Sequence, residues 1–172
     1  MNHGIPGFRS LMKLVLERRP DVRLLLYGRA AVTPDRERAF HHQVEVLGLQ
    51  ENIQLTGFVS DADLSYLYSR ATVFAFPSLY EGFGLPVLEA MAAGSCTIVR
   101  DTSAMAEVLG DAGVQVDTAD PTMLGQAIAA ILDDAPRREK LGLAARHRAA
   151  GFTRSAMAKA TLGVYARTLG RN

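Results

Sequence analysis

An α/β fold, with a parallel sheet covered by helices on both faces, follows from three features of this 172-residue chain. Short apolar runs alternate with longer stretches whose apolar residues recur at helical spacing. Several runs close on a glycine, where a strand hands over to a loop. The intervals between runs are long enough for a crossover helix, which neighbouring parallel strands require.

The elements can be justified in order. Residues 8–17 read as a helix, with Phe8, Leu11, Met12, Val15 and Leu16 on one face. Residues 22–27 form a near-continuous apolar run ending at Gly28, as expected of a strand buried on both faces. Residues 34–47 are helical and stop at Gly48. Residues 52–55 make a short strand, after which Ser60 or Asp61 caps a helix through Tyr68. Residues 72–76 form a strand, followed by a Gly-rich loop and a helix over 85–93. A strand at 96–99, a short helix at 103–109 and a short strand at 114–116 come next. Pro121 sits near the start of a helix over 121–132, and helices over 135–150 and 153–169 complete the chain. There is no internal repeat, low-complexity stretch or interdomain linker, so residues 1–172 read as one domain.

Composition narrows the function. Apolar residues at 48% and charged residues at 22% describe a soluble globular chain. A net charge of +1 gives no argument for nucleic acid or a membrane surface by bulk electrostatics, and nucleic acid is not expected as a partner. No apolar run approaches the ~20 residues of a transmembrane segment. Residues 11–16 are too short for a secretory core and are broken by Lys13. Cys96 is the only cysteine, which rules out an internal disulfide and fits a cytoplasmic setting. Its expected role is that of a small buried residue. No metal site is expected: His41 and His42 are adjacent rather than one turn apart, while His3 and His147 read as surface residues. No Ser-His-Asp or Cys-His arrangement is present to support nucleophilic catalysis.

The most informative segment is 77–94, Pro-Ser-Leu-Tyr-Glu-Gly-Phe-Gly-Leu-Pro-Val-Leu-Glu-Ala-Met-Ala-Ala-Gly. It sets Glu81 on a loop, then a Gly-X-Gly turn, then a helix start with Pro86 where a missing N–H costs nothing. Glu89 follows about one turn into the helix. A helix N-terminus offers free N–H groups and a positive dipole end to an anion. Two carboxylates beside it can accept hydrogen bonds from sugar hydroxyls. Taken alone, each part has an ordinary explanation as a turn, a solvated acid or a core face of Leu85, Val87, Leu88 and Met91. It is the order of the parts that points to a phosphorylated, polyhydroxylated ligand. In a parallel α/β fold, Gly28, residues 57–60 and residues 77–84 all fall at the C-terminal ends of strands, where ligands bind.

Glu81 and Glu89 match the E-x7-E motif, and the chain resembles retaining glycosyltransferases of the GT-B fold, most closely the group 1 family, also called family 4. The similarity runs from about Gly4 to the C-terminus. It takes in Leu24-Leu25-Leu26-Tyr27-Gly28, Asn52-Ile53-Gln54-Leu55-Thr56-Gly57-Phe58-Val59, and Glu107-Val108-Leu109-Gly110-Asp111-Ala112-Gly113. The resemblance implies a Rossmann-like sheet forming the C-terminal half of a GT-B fold. That half is the donor-binding domain, the acceptor-binding domain or subunit being absent from this chain. It also implies transfer of a sugar from a nucleotide diphosphate sugar, UDP- or GDP-linked, to an acceptor hydroxyl with retention, in polysaccharide biosynthesis and without cofactor or metal.

The same resemblance assigns roles. Glu81 is the catalytic-site acid that contacts the hydroxyls of the transferred sugar. Backbone N–H groups of Gly82, Phe83, Gly84 and Leu85 hold the donor sugar and diphosphate. Glu89 accepts from the ribose, and the main chain at Val59 reads the nucleobase edge. Glu107 reads as a helix-surface residue.

There are departures. Residues 1–6 lack the Arg-x4-Lys pair that contacts the diphosphate in the family. Gly94-Ser95-Cys96-Thr97 lacks the family's proline, and Met105-Ala106-Glu107-Val108 replaces Leu-Pro-Glu-Val. Two alternatives stay open: a separate donor-binding subunit that needs a partner chain, and a nucleotide-sugar binder without turnover. An NAD-binding module fits less well, because Tyr27-Gly28-Arg29-Ala30-Ala31 lacks the Gly-X-Gly-X-X-Gly fingerprint after a strand. Exposed Leu162, Val164 and Leu169 on the last helix are expected to mark the face toward the missing domain.

Overall fold

The computed structural model of the protein describes residues 5–28 and 34–170. His3 and the segment Arg29-Ala30-Ala31, both used above, lie outside the described residues. The chain runs α1 (Ile5–Arg18), β1 (Leu24–Tyr27), α2 (Pro34–Val46), β2 (Ile53–Gly57), α3 (Asp61–Arg70), β3 (Phe74–Phe76), α4 (Leu85–Ala93), β4 (Thr97–Arg100) and α5 (Ala104–Leu109). A 3₁₀ turn (Gly110–Ala112), β5 (Val114–Val116), α6 (Pro121–Asp133), α7 (Ala135–Ala149) and α8 (Arg154–Thr168) follow.

All strand pairs are parallel, as the alternation of elements requires, but they form two ladders. One is β1–β2, with Leu24 opposite Ile53; the other is β3–β4–β5, with β4 in the centre. An apolar run reports that a strand is buried and not which strand lies beside it, so this division is invisible in the sequence. The expectation that β1 is buried on both faces is corrected: Leu25 and Tyr27 are 47% and 44% exposed, while Leu24 and Leu26 are half-buried. β1 therefore alternates as a strand covered on one face does. β4 has the doubly buried character instead, with Thr97, Ile98 and Val99 all buried.

The main core lies around α4. Val87 and Met91 pack with Val99 of β4, Met105 and Leu109 of α5, and Ala145 of α7. Small residues let these helices approach closely. A Cβ on Gly142 of α7 would stand 2.4 Å from the Gly94 carbonyl oxygen, just past the end of α4. Two α7 arginines close open helix ends: Arg146 donates to Ala93 O (2.8 Å), and Arg148 donates to Val108 O (2.6 Å) and Glu107 O (2.7 Å). α1 is held mainly against α6, where Met12 and Val15 are buried. α8 has no buried residue, and Leu162, Val164 and Leu169 on it and just beyond it are exposed, as expected. Cys96 is buried, and burial raises its thiol pKa.

Candidate functional site

The loop from β3 to α4 owes its shape to its own sequence. Ser78 Oγ lies 3.0 Å from Glu81 Oε1 and 3.3 Å from Tyr80 O, so one short side chain ties the carboxylate to the loop. The buried Thr118 donates to Pro77 O (3.2 Å), anchoring the loop start to the segment after β5. Gly84 adopts the left-handed conformation (φ 84°, ψ 55°) and caps α4. A Cβ there would be strained and would meet Met105 Cγ at 2.6 Å. No side chain caps α4, and Val87 N–H turns back to Gly84 O (2.9 Å). Among the described residues no acceptor takes the N–H groups of Gly82, Phe83, Gly84 or Leu85. Four donors thus stand without an internal acceptor at the positive end of a nine-residue helix.

Glu89 projects from α4 and is exposed, while Glu81 is half-buried. Glu89 has a partner the sequence did not announce: Tyr68 Oη donates to its Oε2 at 3.4 Å. Tyr68 is the buried residue of α3. Its phenol pKa is raised, first by burial and then by the negative charge of Glu89, with Tyr27 adding to the effect.

Val59 is half-buried on the short connection between β2 and α3, beside Ser60, whose hydroxyl caps α3 by accepting from Asp63 N–H (3.1 Å). Gly28 N–H bonds Gly57 O (3.0 Å), so the ends of β1 and β2 are joined just before it. Leu85, expected on a core face, is 61% exposed, because the helix turns Val87 and Met91 inward at that point. A cleft of about 270 Å³ adjoins the loop, lined by Gly82, Phe83, Ala104, Glu107, Val108 and Phe152. Glu107 is thus exposed, as expected, but borders the loop. A hollow of about 230 Å³ between Arg23 and Gln54 lies at the opposite ends of β1 and β2 and gathers none of the expected site residues. Arg100, at the C-terminal end of β4, is engaged by Thr102 (2.9 Å) and Asp117 (3.6 Å). No cluster of three metal-ligating side chains occurs among the described residues.

Ser78, Thr118 and Tyr68 were missed from sequence. Ser78 carries a faint signal, a hydroxyl three residues before the acid on one loop. Tyr68 and Thr118 carry none, since each reaches its partner across the fold.

The loop, its glycine-capped helix and the two acids stand in one segment of a family profile described as "Glycosyl transferases group 1", which matches residues 2–148. The chain belongs to this family. Among curated relatives of this group 1 glycosyltransferase chain, O-antigen chain mannosyltransferase B of Escherichia coli is 44% identical over 87 residues, covering 51% of this chain and 23% of that protein. D-inositol 3-phosphate glycosyltransferase of Corynebacterium diphtheriae is 33% identical over 155 residues, covering 88% and 36%. The C-terminal domain of a group 1 glycosyl transferase (LpcC) from Francisella tularensis has the same fold, with a TM-score of 0.72 and 25% identity over 87% of this chain and 78% of that one. The group 1 chain therefore spans 23% and 36% of the length of these two curated relatives.

Proposed function

We propose that the chain is the donor-binding domain of a retaining glycosyltransferase that moves a sugar from a nucleotide diphosphate sugar to an acceptor hydroxyl. The observation that carries it is the pairing of Glu81 and Glu89 around the start of α4, which no side chain caps. Each acid has one oxygen tied by a hydroxyl of the chain, from Ser78 or Tyr68, and the other oxygen has no partner among the described residues. Free carboxylate oxygens accept from sugar hydroxyls, and N–H groups without an internal acceptor donate to anionic oxygens. Glu81 faces the transferred sugar, and Glu89 faces the ribose. The N–H groups from Gly82 to Leu85 stabilise the charge that grows on the leaving diphosphate, without reorganising at the moment of reaction. Val59 lies at the C-terminal edge of β2, where a base would extend from the ribose.

The site is an open surface rather than an enclosed pocket, consistent with a second domain or subunit forming the opposite wall. The similarity to an isolated C-terminal domain and the small share of the relatives that is covered support the same assignment. The O-antigen relative favours a role in polysaccharide synthesis.

Calorimetric titration with UDP, GDP, ADP and NAD tests this. One diphosphate is expected to bind saturably, and Glu89→Ala should weaken it by roughly tenfold, the loss of a charge-assisted hydrogen bond. Preference for NAD, or binding indifferent to Glu89→Ala, would overturn the proposal.

A further inference from the structure

We propose that Tyr68 is a positioning residue for Glu89: its buried hydroxyl holds one carboxylate oxygen and presents the other to the ribose hydroxyls. This rests on Glu89 being the ribose acceptor.

Tyr68 is fixed from three sides. Its carbonyl accepts from the Ser95 hydroxyl, its ring meets Phe74 edge-on at 5.1 Å and 87°, and its hydroxyl donates to Glu89 Oε2. The ring contact explains why an aromatic residue packs here, the carbonyl contact would be made by any residue, and a phenylalanine would satisfy both. The hydroxyl needs another reason. A buried phenol requires a partner, and among the described residues this one uses only Glu89, which is itself exposed. The buried residue is therefore the fixed end of the pair, and the solvent-facing acid is the end being held. A glutamate on an exposed helix face samples several rotamers, each lost at an entropic cost when a ligand demands one. A phenol rooted in the core removes much of that cost before the ligand arrives. The 3.4 Å separation is that of a bond that can tighten on binding.

Tyr68→Phe keeps the ring and its contact with Phe74 and removes only the hydroxyl. The full chain, unaltered and as Tyr68→Phe, Glu89→Gln and the double variant, is titrated calorimetrically with UDP and GDP and with their 2′,3′-dideoxy counterparts. Tyr68→Phe should weaken the ribonucleotide that binds by roughly three- to tenfold and leave its dideoxy counterpart unchanged. The effect should vanish in the Glu89→Gln background, as two groups acting through one contact require. Equal loss for both nucleotides, a loss that persists with Glu89→Gln, or no loss at all would overturn the proposal. Failure of the underlying assignment shows separately, in the unaltered chain, which would then bind ribo and dideoxy forms alike or bind neither.

Discussion

At the scale of single residues, two buried protons make stability depend on pH. The Cys96 thiol is raised by burial, and the Tyr68 phenol by burial and the charge of Glu89. Both groups are neutral when protonated, so the folded chain keeps its proton at a pH where the unfolded chain has released it. Stability falls as pH rises wherever the folded state holds more protons. The contribution is complete below the unfolded values, near 9.0 for Cys96 and 10.0 for Tyr68, and is lost as pH climbs above them. Urea unfolding should show a free energy that declines from about pH 9 upward. Cys96→Ala and Tyr68→Phe should each flatten the decline. A curve unchanged by either variant would show that these protons are not held.

At the scale of elements, the glycines say which helices must touch. Gly142 on α7 lies against the Gly94 carbonyl, with room for a hydrogen and not for a methyl group. Backbone cannot yield as a side chain can. Gly142→Ala should therefore force α7 away from α4 and destabilise the chain by about 1–3 kcal/mol. Gly163 on α8 is the contrast, since its nearest neighbour is the end of the Arg167 side chain at 3.6 Å. There Gly163→Ala should stabilise by about 0.5–1 kcal/mol, through helix propensity alone. Opposite shifts in the urea midpoint would separate a packed helix crossing from a helix lying on the surface. The same crossing positions Arg146 and Arg148 over the ends of α4 and α5, so the helix that begins at the site is also secured at its far end.

At the scale of the whole molecule, exposed apolar side chains gather around the site. Tyr80 is 89% exposed, Phe58 72% and Leu79 62%, and all three stand on the loops at the C-terminal ends of strands. α8 adds a second exposed apolar surface at Met157, Leu162 and Tyr165. If the donor is held here and the acceptor elsewhere, the chain alone should bind a nucleoside diphosphate yet transfer no sugar to a simple glycoside. Radiolabelled nucleotide sugar with and without such an acceptor gives the readout. Robust transfer by the chain alone would sink the idea of a separate acceptor wall.

Local sequence determined where the elements are. α4 and β5 fall at the residues expected, and the others shift by one to three positions at their ends, because periodicity, Pro86, Pro121 and the glycine stops act within a few residues. It also determined the order of loop, turn, helix start and acid from Glu81 to Glu89, since these are near neighbours along the chain. Only the tertiary structure decided that the strands divide into two ladders, that β4 rather than β1 is the doubly buried strand, and that Leu85 points outward. It alone set Tyr68 beside Glu89 and Thr118 beneath Pro77, contacts across 21 and 41 residues. The physical reason is one of range. Propensity and capping are fixed by neighbours along the chain, whereas pairing, burial and the partners of a buried hydroxyl depend on which distant surfaces the packed core brings together.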